Sequence, residues 1–329
     1  MISRTAENCF WLTRNLERIE MLNNAIEVTH DIALETASDV YDTWFPIVIV
    51  LGGQDAFLDG EKVAASHDQS KILDFLVWDK ENPTSIYTSF LAARENARIV
   101  RDLMSFEMWE VINKAWIWLN KPATKKLFKN DINVFCTEIA HMCATWKGMF
   151  HNLILRDDPF YFMKLGVLLE RTSLTARLMD VHYHRHIDLT SSQETMYESL
   201  YWQEMLQYCM SYDAFVRRPY VDVGREQVAE FLLHEPDFPR TVAYCLKESI
   251  NCLGEVRQQS SYKIGNDCFE KLFKIYNIVV DTEISEVLDS SHEFLTALIN
   301  DIMSLCEQIH SDFFDVDVEV FSKMLSPVK

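Results

Sequence analysis

The sequence predicts an all-α fold, an elongated helical bundle built from two duplicated multi-helix units. It contains 8 glycines and 8 prolines in 329 residues, so few turns are available and long helices are favoured. No segment has the clean alternation of apolar and polar residues that is typical of a strand. Hydrophobic residues make up 48% of the chain, which is enough apolar surface for one or two cores.

The predicted duplication rests on markers that recur in the same order in the two halves. The triplet Leu16-Glu17-Arg18 reappears 153 positions later as Leu169-Glu170-Arg171. We therefore divide the chain into a first helical repeat, 1–155, and a second, 156–329, with chance similarity between helical stretches as the alternative. Four more markers recur at a constant spacing of 156 positions: Phe75 as Phe231, Leu76 as Leu232, Pro83 as Pro239, and Ile86 as Val242.

The first repeat is predicted to open with a helix over Glu7–His30, where apolar residues fall roughly on one helical stripe. A second helix should cover Ser38–Leu51, with Ser38 or Asp39 as its N-cap and the following Gly-Gly pair as its stop. Three further elements complete this half: a short helix ending near Trp78, a long helix from Thr84 after a turn at Asp79–Pro83, and a helix over about Ala123–Leu155.

The second repeat is predicted to start at Asp157-Asp158-Pro159. Acidic residues favour the positive end of a helix dipole, and proline fits the first turn. Consecutive helices should pack as antiparallel neighbours. The order then follows the first repeat: a helix around Trp202, a short helix ending near Leu233, a turn with Pro236 and Pro239, a long helix after Arg240, and final helices over about Asp267–Thr282 and Ser290–Phe314.

Charge and hydropathy exclude several classes of function. The formal net charge of −19 argues against nucleic acid as a partner, because phosphate contacts need basic surfaces, although local basic clusters can still bind small anions. The longest apolar run, Ile47–Leu51, is far too short to cross a bilayer, and the amino terminus lacks a signal-peptide core. Eight cysteines without a Cys-x-x-Cys pair fit a reducing compartment. We therefore expect a cytoplasmic protein without a membrane segment.

The sequence contains no recognisable active-site motif. A Gly-rich phosphate loop, a Gly-x-Ser-x-Gly elbow and a recognisable Cys/His pair are all absent from it, so catalytic residues stay unassigned. His182 and His186 are spaced one helical turn apart, but no Glu-x-x-His or Cys-rich partner completes a coordination set. No metal site is predicted.

Charged residues at helical spacing form the candidate site. Arg14, Glu17 and Arg18 are three and four positions apart and therefore share one helix face. Similar spacing places Arg94, Arg98 and Arg101 in one line. Their guanidinium groups would make a strip of fork-shaped donors suited to carboxylate or phosphate. The other residues that we assign to the same binding site are Glu95, Asn96, Glu110, Asn113, Glu170 and Arg171.

Two interpretations of these charges remain open. In a large bundle, Arg and Glu at helical spacing often form a buried structural network, in which each charge is held by its partner. The ligand-site interpretation rests on the excess of cations between residues 94 and 101, three arginines to one glutamate. It predicts that Arg94 and Arg98 lie under the surface close to Glu17, and that Glu17 and Glu170 neutralise two of the three arginines.

The two predicted repeats differ in charge. The long helix of the second repeat has Ile250-Asn251-Cys252 where the first has Arg94-Glu95-Asn96. The second repeat is therefore expected to support the site without binding ligand itself. For the same reason Arg98 should matter more to function than Arg240.

Two long motifs and several shorter ones point to a known family. The first is the opening segment 1–8 followed by Trp11-Leu12, Arg14 and Leu16-Glu17-Arg18 with Glu20. The second is the segment 82–86 followed by 93–98, Arg101-Asp102, Trp109-Glu110 and Asn113. Together with Leu165-Gly166, Leu169-Glu170-Arg171 and the segment 238–242, they resemble the alpha-E domain proteins, which are bacterial and all-helical. The resemblance covers nearly the whole chain. The sequence departs from the pattern at Thr13, where Gly is favoured, and at Val167, where Arg is favoured.

What the resemblance implies is a setting more than a reaction. Alpha-E proteins are typically encoded beside, or fused to, circularly permuted ATP-grasp proteins, often with transglutaminase-like proteins nearby. Their expected role is in making or modifying small peptides by amide-bond formation. The resemblance therefore implies a peptide or amino-acid substrate and a partner ligase that binds ATP and Mg, whereas this chain is expected to bind no cofactor itself.

The leading hypothesis is that the chain is the helical component of an ATP-grasp-dependent amide-ligase system. An arginine-lined cleft would hold an anionic or peptide acceptor close to the activated acid. The rival hypothesis is a non-catalytic structural adaptor that assembles the ligase complex. Free arginines in a solvent-connected cleft favour the first hypothesis, and a fully paired, dry network favours the second.

Overall fold

The computed structural model describes residues 3–35, 39–60, 66–186, 194–218, 222–259 and 266–314. In this part of the chain all regular structure is helical and no strand is present, so the predicted all-α class is confirmed. None of the helices described is long and apolar enough to cross a membrane.

The helices of the first half lie close to where the sequence predicts them. Asp39 caps the second helix, because its Oδ1 accepts a hydrogen bond from the backbone N of Tyr41 at 2.8 Å. That helix stops before Gly52, which has a positive φ of 69°. The elements are α1 Ser3–Glu35, α2 Val40–Val50, α3 Gln54–Gly60, α4 Gln69–Val77, α5 Ile86–Ile99, a 3₁₀ turn at Arg101–Leu103, α6 Phe106–Leu119, α7 Pro122–Asn130 and α8 Ile132–Asn152.

The second half continues the same architecture. A helix begins at Asp158, within the start signal predicted at Asp157-Asp158-Pro159. The elements are α9 Asp158–His186, α10 Glu194–Tyr208, α11 Tyr212–Val216, α12 Arg225–His234, α13 Val242–Gln259, α14 Asn266–Asp281, α15 Ile284–Asp289, α16 Ser291–Ile309 and a π-helical turn at His310–Phe314.

Local capping explains where the predicted helix boundaries were wrong. The helix predicted over Ala123–Leu155 is divided at Asp131, whose side chain accepts a hydrogen bond from the backbone N of Val134 at 3.0 Å and thereby starts α8. The next residue after Thr84, Ser85, caps α5, since its Oγ accepts from the backbone N of Thr88 at 3.1 Å. A capping side chain can thus start a new helix inside a stretch whose residue pattern predicts one continuous helix.

Helices α1 and α9 form the centre of the protein. Helix α1 packs against α9, α5 and α8, and α9 packs against α1, α13 and α16, so both helices are covered on several faces. Their contacts advance together along the chain, from Thr13 with Met163 to Glu17 with Arg171. The two central helices therefore run side by side in the same direction.

The two halves have matching neighbours. Helix α5 packs on α1 as α13 packs on α9, and α8 packs on α1 as α16 packs on α9. The turns before α5 and α13 also match, because Ser85 Oγ donates to the carbonyl O of Asp79 at 2.7 Å and Thr241 Oγ1 donates to that of Glu235 at 2.5 Å. These contacts agree with the duplication, which stays a prediction together with its boundaries. Buried residues of both halves belong to one hydrophobic core.

The matched turns lead to a stability prediction. Ser85→Ala and Thr241→Ala are each expected to lower the free energy of unfolding by about 1–2 kcal/mol, because each removes a buried hydroxyl that ties a turn to a helix start. Urea denaturation measures both variants. The control is Thr137→Ala, whose exposed hydroxyl donates within α8 to Asn133, and it should stay within about 0.5 kcal/mol. An unchanged stability of Ser85→Ala would contradict the prediction.

Candidate functional site

Eight charged side chains meet where α1 and α9 lie side by side. The predicted members of this group are Arg14 and the residues of both Glu-Arg pairs. Further charges come from α1, α8 and the segment before α13. We call the group the central network and define it as Arg14, Glu17, Arg18, Glu20, Lys147, Glu170, Arg171 and Arg240.

Glu17 is the most enclosed member of the central network, with 0% of its side chain exposed. Arg171 binds it through two nitrogens, with Nε 2.8 Å from Oε1 and a terminal nitrogen 3.1 Å from Oε2. Lys147 Nζ lies 2.7 Å from Oε2, and Arg240 lies 3.4 Å from Oε1. The carboxylate of Glu17 therefore meets three cations, which come from three different elements.

Glu170 has the complementary arrangement on α9. Arg14 Nε lies 2.7 Å from its Oε2, and a terminal nitrogen of Arg18 lies 2.7 Å from its Oε1. The glutamate of each Glu-Arg pair thus binds the arginine of the other pair. This exchange links α1 to α9 by charge-assisted hydrogen bonds in both directions.

The exchange requires α1 and α9 to lie very close together. A Cβ atom at Gly166 would approach the backbone O of Phe10 and Oγ1 of Thr13 nearer than the 3.4 Å at which ordinary van der Waals contact begins. Thr13 Oγ1 donates a hydrogen bond to the carbonyl O of Met163 at 2.7 Å. Threonine therefore fits at position 13 for two reasons. Its hydroxyl donates a hydrogen bond to α9 across the helix interface, and Gly166, which lies opposite it, has no side chain.

Burial and charge compete to set the pKa values in the central network. Burial acts most strongly on Glu17 and would raise its pKa, but Arg171, Lys147 and Arg240 together outweigh burial and lower the pKa well below its usual value of 4.5. Burial likewise opposes ionisation of Glu170, whose pKa is lowered by Arg18 and Arg14. Both carboxylates are therefore ionised at neutral pH.

The two Glu-Arg pairs agree with a known family. The Alpha-E family model, described as "a predicted alpha-helical domain with a conserved ER motif", matches residues 1–314. The chain belongs to the Alpha-E family. This finding confirms the resemblance predicted from the sequence motifs.

In this Alpha-E chain, Glu17-Arg18 and Glu170-Arg171 are the two Glu-Arg dipeptides of the sequence, and both lie in the central network. No curated protein matches the chain, and no solved structure matches it either. In this structure the Glu-Arg motif joins α1 to α9, because the glutamate of each pair binds the arginine of the other pair.

The arginine strip is not placed as predicted. The side chain of Arg98 is 61% exposed and pairs with Glu95 on its own helix, so the prediction that it lies under the surface is wrong. Arg94, 27% exposed, binds Asn113 at 3.0 Å and Glu95. Arg101 lies beyond the end of α5, in the 3₁₀ turn. The partners of Arg94 and Arg98 therefore lie on α5 and α6, since Glu95 belongs to α5 and Asn113 belongs to α6.

The neutralising partners were also predicted wrongly. Glu17 and Glu170 bind arginines of α1, α9 and the segment before α13, as described above. Of the remaining predicted residues, Asn96 is half-buried on α5. Glu110 forms an exposed pair with Lys114 at 3.0 Å on α6. The twelve residues assigned from sequence therefore fall into a central group on α1 and α9 and an outer group on α5, the 3₁₀ turn after it, and α6.

Three members of the central network were missed as site residues. Glu20 and Arg240 lie in segments that resemble the family, so motif position was the available signal for both. Lys147 has no such signal, since it follows a helical pattern on α8 and meets Glu17 across the bundle. The second half contributes Glu170, Arg171 and Arg240 to the central network; the expectation that this half supports the site without binding ligand itself stays a prediction.

The histidines near the end of α9 are the remaining candidates for metal ligation. Within the residues that the structure describes, no group of three or more His, Cys, Asp or Glu side chains is arranged to hold a metal ion. His182 stacks on Tyr201, with ring centroids 3.7 Å apart, and its Nε2 lies 2.8 Å from the carbonyl O of that residue. The side chain of His186 lies outside the described residues.

Proposed function

We propose that this Alpha-E chain is the helical component of an ATP-grasp-dependent amide-bond-forming system. In this proposal the central network binds the carboxylate of an amino-acid or peptide acceptor. The family supports the setting through the association implied by the sequence motifs, and the charges of the network support the binding role.

The observation that carries the proposal is an excess of positive charge in an enclosed place. The central network contains five cationic side chains and three carboxylates, a formal charge of +2, although the whole chain carries −19. Arg14 and Arg171 are only 12% and 10% exposed. Enclosed charge without a counter-charge is unfavourable, so an anionic ligand would be favoured here.

One edge of the central network offers a binding position. Lys147 and Arg240 both bind Oε2 of Glu20, and these side chains are 21%, 16% and 13% exposed, respectively. An ammonium and a guanidinium therefore converge near solvent on a single carboxylate oxygen. A ligand carboxylate would bind these two cations beside Glu20 or in its place.

Binding by the carboxylate leaves the amino group of the acceptor free to react. The partner ligase would use ATP and Mg to convert a second carboxylate into an acyl phosphate. The amine attacks the carbonyl carbon of the acyl phosphate, a C–N bond forms, the C–O bond to phosphate breaks, phosphate leaves, and the nitrogen releases one proton to solvent. This chain would contribute orientation of the acceptor.

The proposal places the system in the cytoplasm, where ATP is available. The eight free thiols agree with that location. A transglutaminase-like protein is proposed as a further partner.

A structural adaptor is the second candidate function. The observation that favours it is that each cation of the central network contacts a carboxylate. A fully paired network can hold α1 against α9 without any ligand. In that case the chain would assemble the ligase complex, and its arginines would act through the fold alone.

The test compares ligation with stability. Reconstituted with a circularly permuted ATP-grasp protein, Arg240→Met should lower the rate of amide formation by roughly 10- to 150-fold, because a charge-assisted hydrogen bond to a ligand contributes about 1.5–3 kcal/mol. Glu20→Gln should strengthen acceptor binding, since it removes the carboxylate that Lys147 and Arg240 share at the edge of the network, although both cations still contact Glu17. Rates are measured as ADP release, and stability by thermal unfolding of the same samples.

Matched variants separate the two functions. Arg257→Met removes an arginine of α13 that binds Asn266 and stacks on Phe269, and Arg98→Met removes an exposed one; both should keep the ligation rate within about twofold. This order reverses the importance predicted from sequence for Arg98 and Arg240. Equal losses of rate and stability in Arg240→Met, with no tighter binding by Glu20→Gln, would instead overturn the binding role and favour the adaptor function.

A further inference from the structure

Two adjoining cavities lie between α4 and α7, away from the central network. Their volumes are about 570 Å³ and 690 Å³. Asp74 of α4 and Lys129 of α7 line both of them, so we treat them as one elongated depression and call it the α4–α7 groove. The volumes are in the range of sites that bind small molecules or short peptide segments.

The α4–α7 groove combines lysines with aromatic side chains. Lys71, Lys125 and Lys129 line it, and apolar contact surface comes from Phe75, Trp78 and Phe128. Lysine stems can lie along apolar surface while the ammonium groups remain in water. A ligand in this groove would therefore meet positive charge and apolar surface together.

The charge around α7 is opposite to that of the rest of the chain. Residues 111–130 contain five lysines and no acidic residue, in a protein of net charge −19. Three aspartates, Asp68, Asp74 and Asp79, also line the groove. The carboxylate of Asp68 caps α4 by accepting a hydrogen bond from the backbone N of Ser70 at 3.0 Å. The carboxylate of Asp79 accepts a hydrogen bond from the backbone N of Glu81 at 2.9 Å, so it is engaged in its own turn. The local field along α7 favours an acidic partner.

The aromatic contacts around Trp78 limit which classes of ligand can bind in the groove. Lys125 Nζ lies 5.1 Å from the ring centroid of Trp78, and Phe128 and Phe135 pack against the same indole. A nucleobase would have to displace these groups in order to stack on Trp78. Nucleic acid would also be repelled by the strongly acidic remainder of the chain. Carboxylates, by contrast, can pair with the lysines at the rim while apolar side chains reach the groove.

We propose that the α4–α7 groove binds an extended acidic peptide segment of a partner protein. The nine residues of α7 extend over about 13 Å, which matches roughly four residues of an extended peptide. Asp or Glu side chains of the segment pair with Lys125 and Lys129, and an aliphatic or aromatic side chain contacts the groove near Trp78. This site is separate from the central network and does not depend on the proposed acceptor binding.

The experiment selects ligands without assuming their sequence. A phage-displayed library of random heptapeptides is screened on the full chain, and the selected peptides are synthesised with a fluorescein label for anisotropy. The expected result is enrichment of peptides with at least two acidic residues and one large apolar residue. Charge reversal in Lys129→Glu or Lys125→Glu should weaken their binding at least tenfold, and higher salt should weaken it further.

The matched control is Lys114→Glu, which reverses an exposed lysine of the same acid-free stretch that pairs with Glu110 outside the groove. It should change peptide affinity less than twofold, and thermal unfolding should show that all three variants keep their fold. Selection without enrichment of acidic residues would overturn the proposal. So would selected peptides that bind Lys129→Glu as tightly as the unaltered chain, or a labelled single-stranded oligonucleotide that binds the groove as tightly as the peptides.

Discussion

Replacing Glu17 by glutamine is expected to lower the free energy of unfolding by about 3–5 kcal/mol, the cost of removing one partner from a buried ion pair. Glutamine has nearly the same shape but no charge. Its amide would leave Arg171, Lys147 and Arg240 without the carboxylate that they now share. Urea denaturation at neutral pH measures the loss.

The control for this prediction is Glu95→Gln. Glu95 also binds two arginines, Arg94 and Arg98, but its side chain is 41% exposed. Solvent screens such surface pairs, so the expected change is below about 1 kcal/mol. Similar losses for Glu17→Gln and Glu95→Gln would show that enclosure of Glu17 adds nothing to the strength of its pairs.

The acid dependence of stability provides a second measure of the same carboxylates. The pKa values of Glu17 and Glu170 are lower in the folded chain than their usual value of 4.5. Their stabilising contribution is therefore complete above the unfolded value and is lost as pH falls from it through the folded values. Unfolding free energy should decline steeply below pH 4.5, and Glu17→Gln should show a shallower decline. Equal slopes would contradict the lowered pKa of Glu17.

Gly166→Ala is expected to be the most damaging change of a single methyl group, costing about 3 kcal/mol in unfolding free energy. The new Cβ would clash with the backbone O of Phe10 and with Oγ1 of Thr13. A backbone atom cannot rotate away as a side chain can. Helices α1 and α9 would have to separate, and the hydrogen bonds between Glu170, Arg14 and Arg18 would lengthen.

Two other glycines serve as matched controls. At Gly148 of α8 and Gly254 of α13, an added Cβ would meet no atom within 4 Å, so alanine there should stabilise the helix by about 0.5–1 kcal/mol. Combining Gly166→Ala with Thr13→Gly should recover part of the lost stability, because it removes the contact with Oγ1 of Thr13. Recovery should be incomplete, because the contact with the backbone O of Phe10 remains. If Gly166→Ala were as stable as Gly148→Ala, the close approach of α1 and α9 would be disproved. Circular dichroism during thermal unfolding measures all of these variants.

The helical elements could be predicted because their causes are local. Scarce glycine and proline, stripes of apolar residues and capping side chains act over three or four positions, and the starts of α2 and α9 follow directly from them. The boundaries were missed where a cap inside a helical stretch, Asp131, interrupts the pattern. The family could be identified because its motifs are read directly from the order of residues along the chain and need no knowledge of tertiary contacts.

The partners of the charged residues could not be predicted in this way. Helical spacing correctly placed Arg14, Glu17 and Arg18 near one another, but the two glutamates were wrongly assigned to the arginine strip within residues 94–101. In the structure, Glu17 meets Arg171, Lys147 and Arg240 across sequence separations of 154, 130 and 223 residues. Residues so far apart in sequence meet only because α5, α8, α13 and α16 pack around α1 and α9.

The sequence by itself therefore determined that this protein is all-α, that it belongs to the Alpha-E family, and which charged residues are candidates for a site. Tertiary structure alone decided which charges are enclosed, that Arg98 faces solvent, and that the two Glu-Arg pairs exchange partners. The physical reason is that helix formation depends on neighbours within one or two turns, whereas enclosure and pairing of charge depend on which helix faces meet after the whole chain has folded.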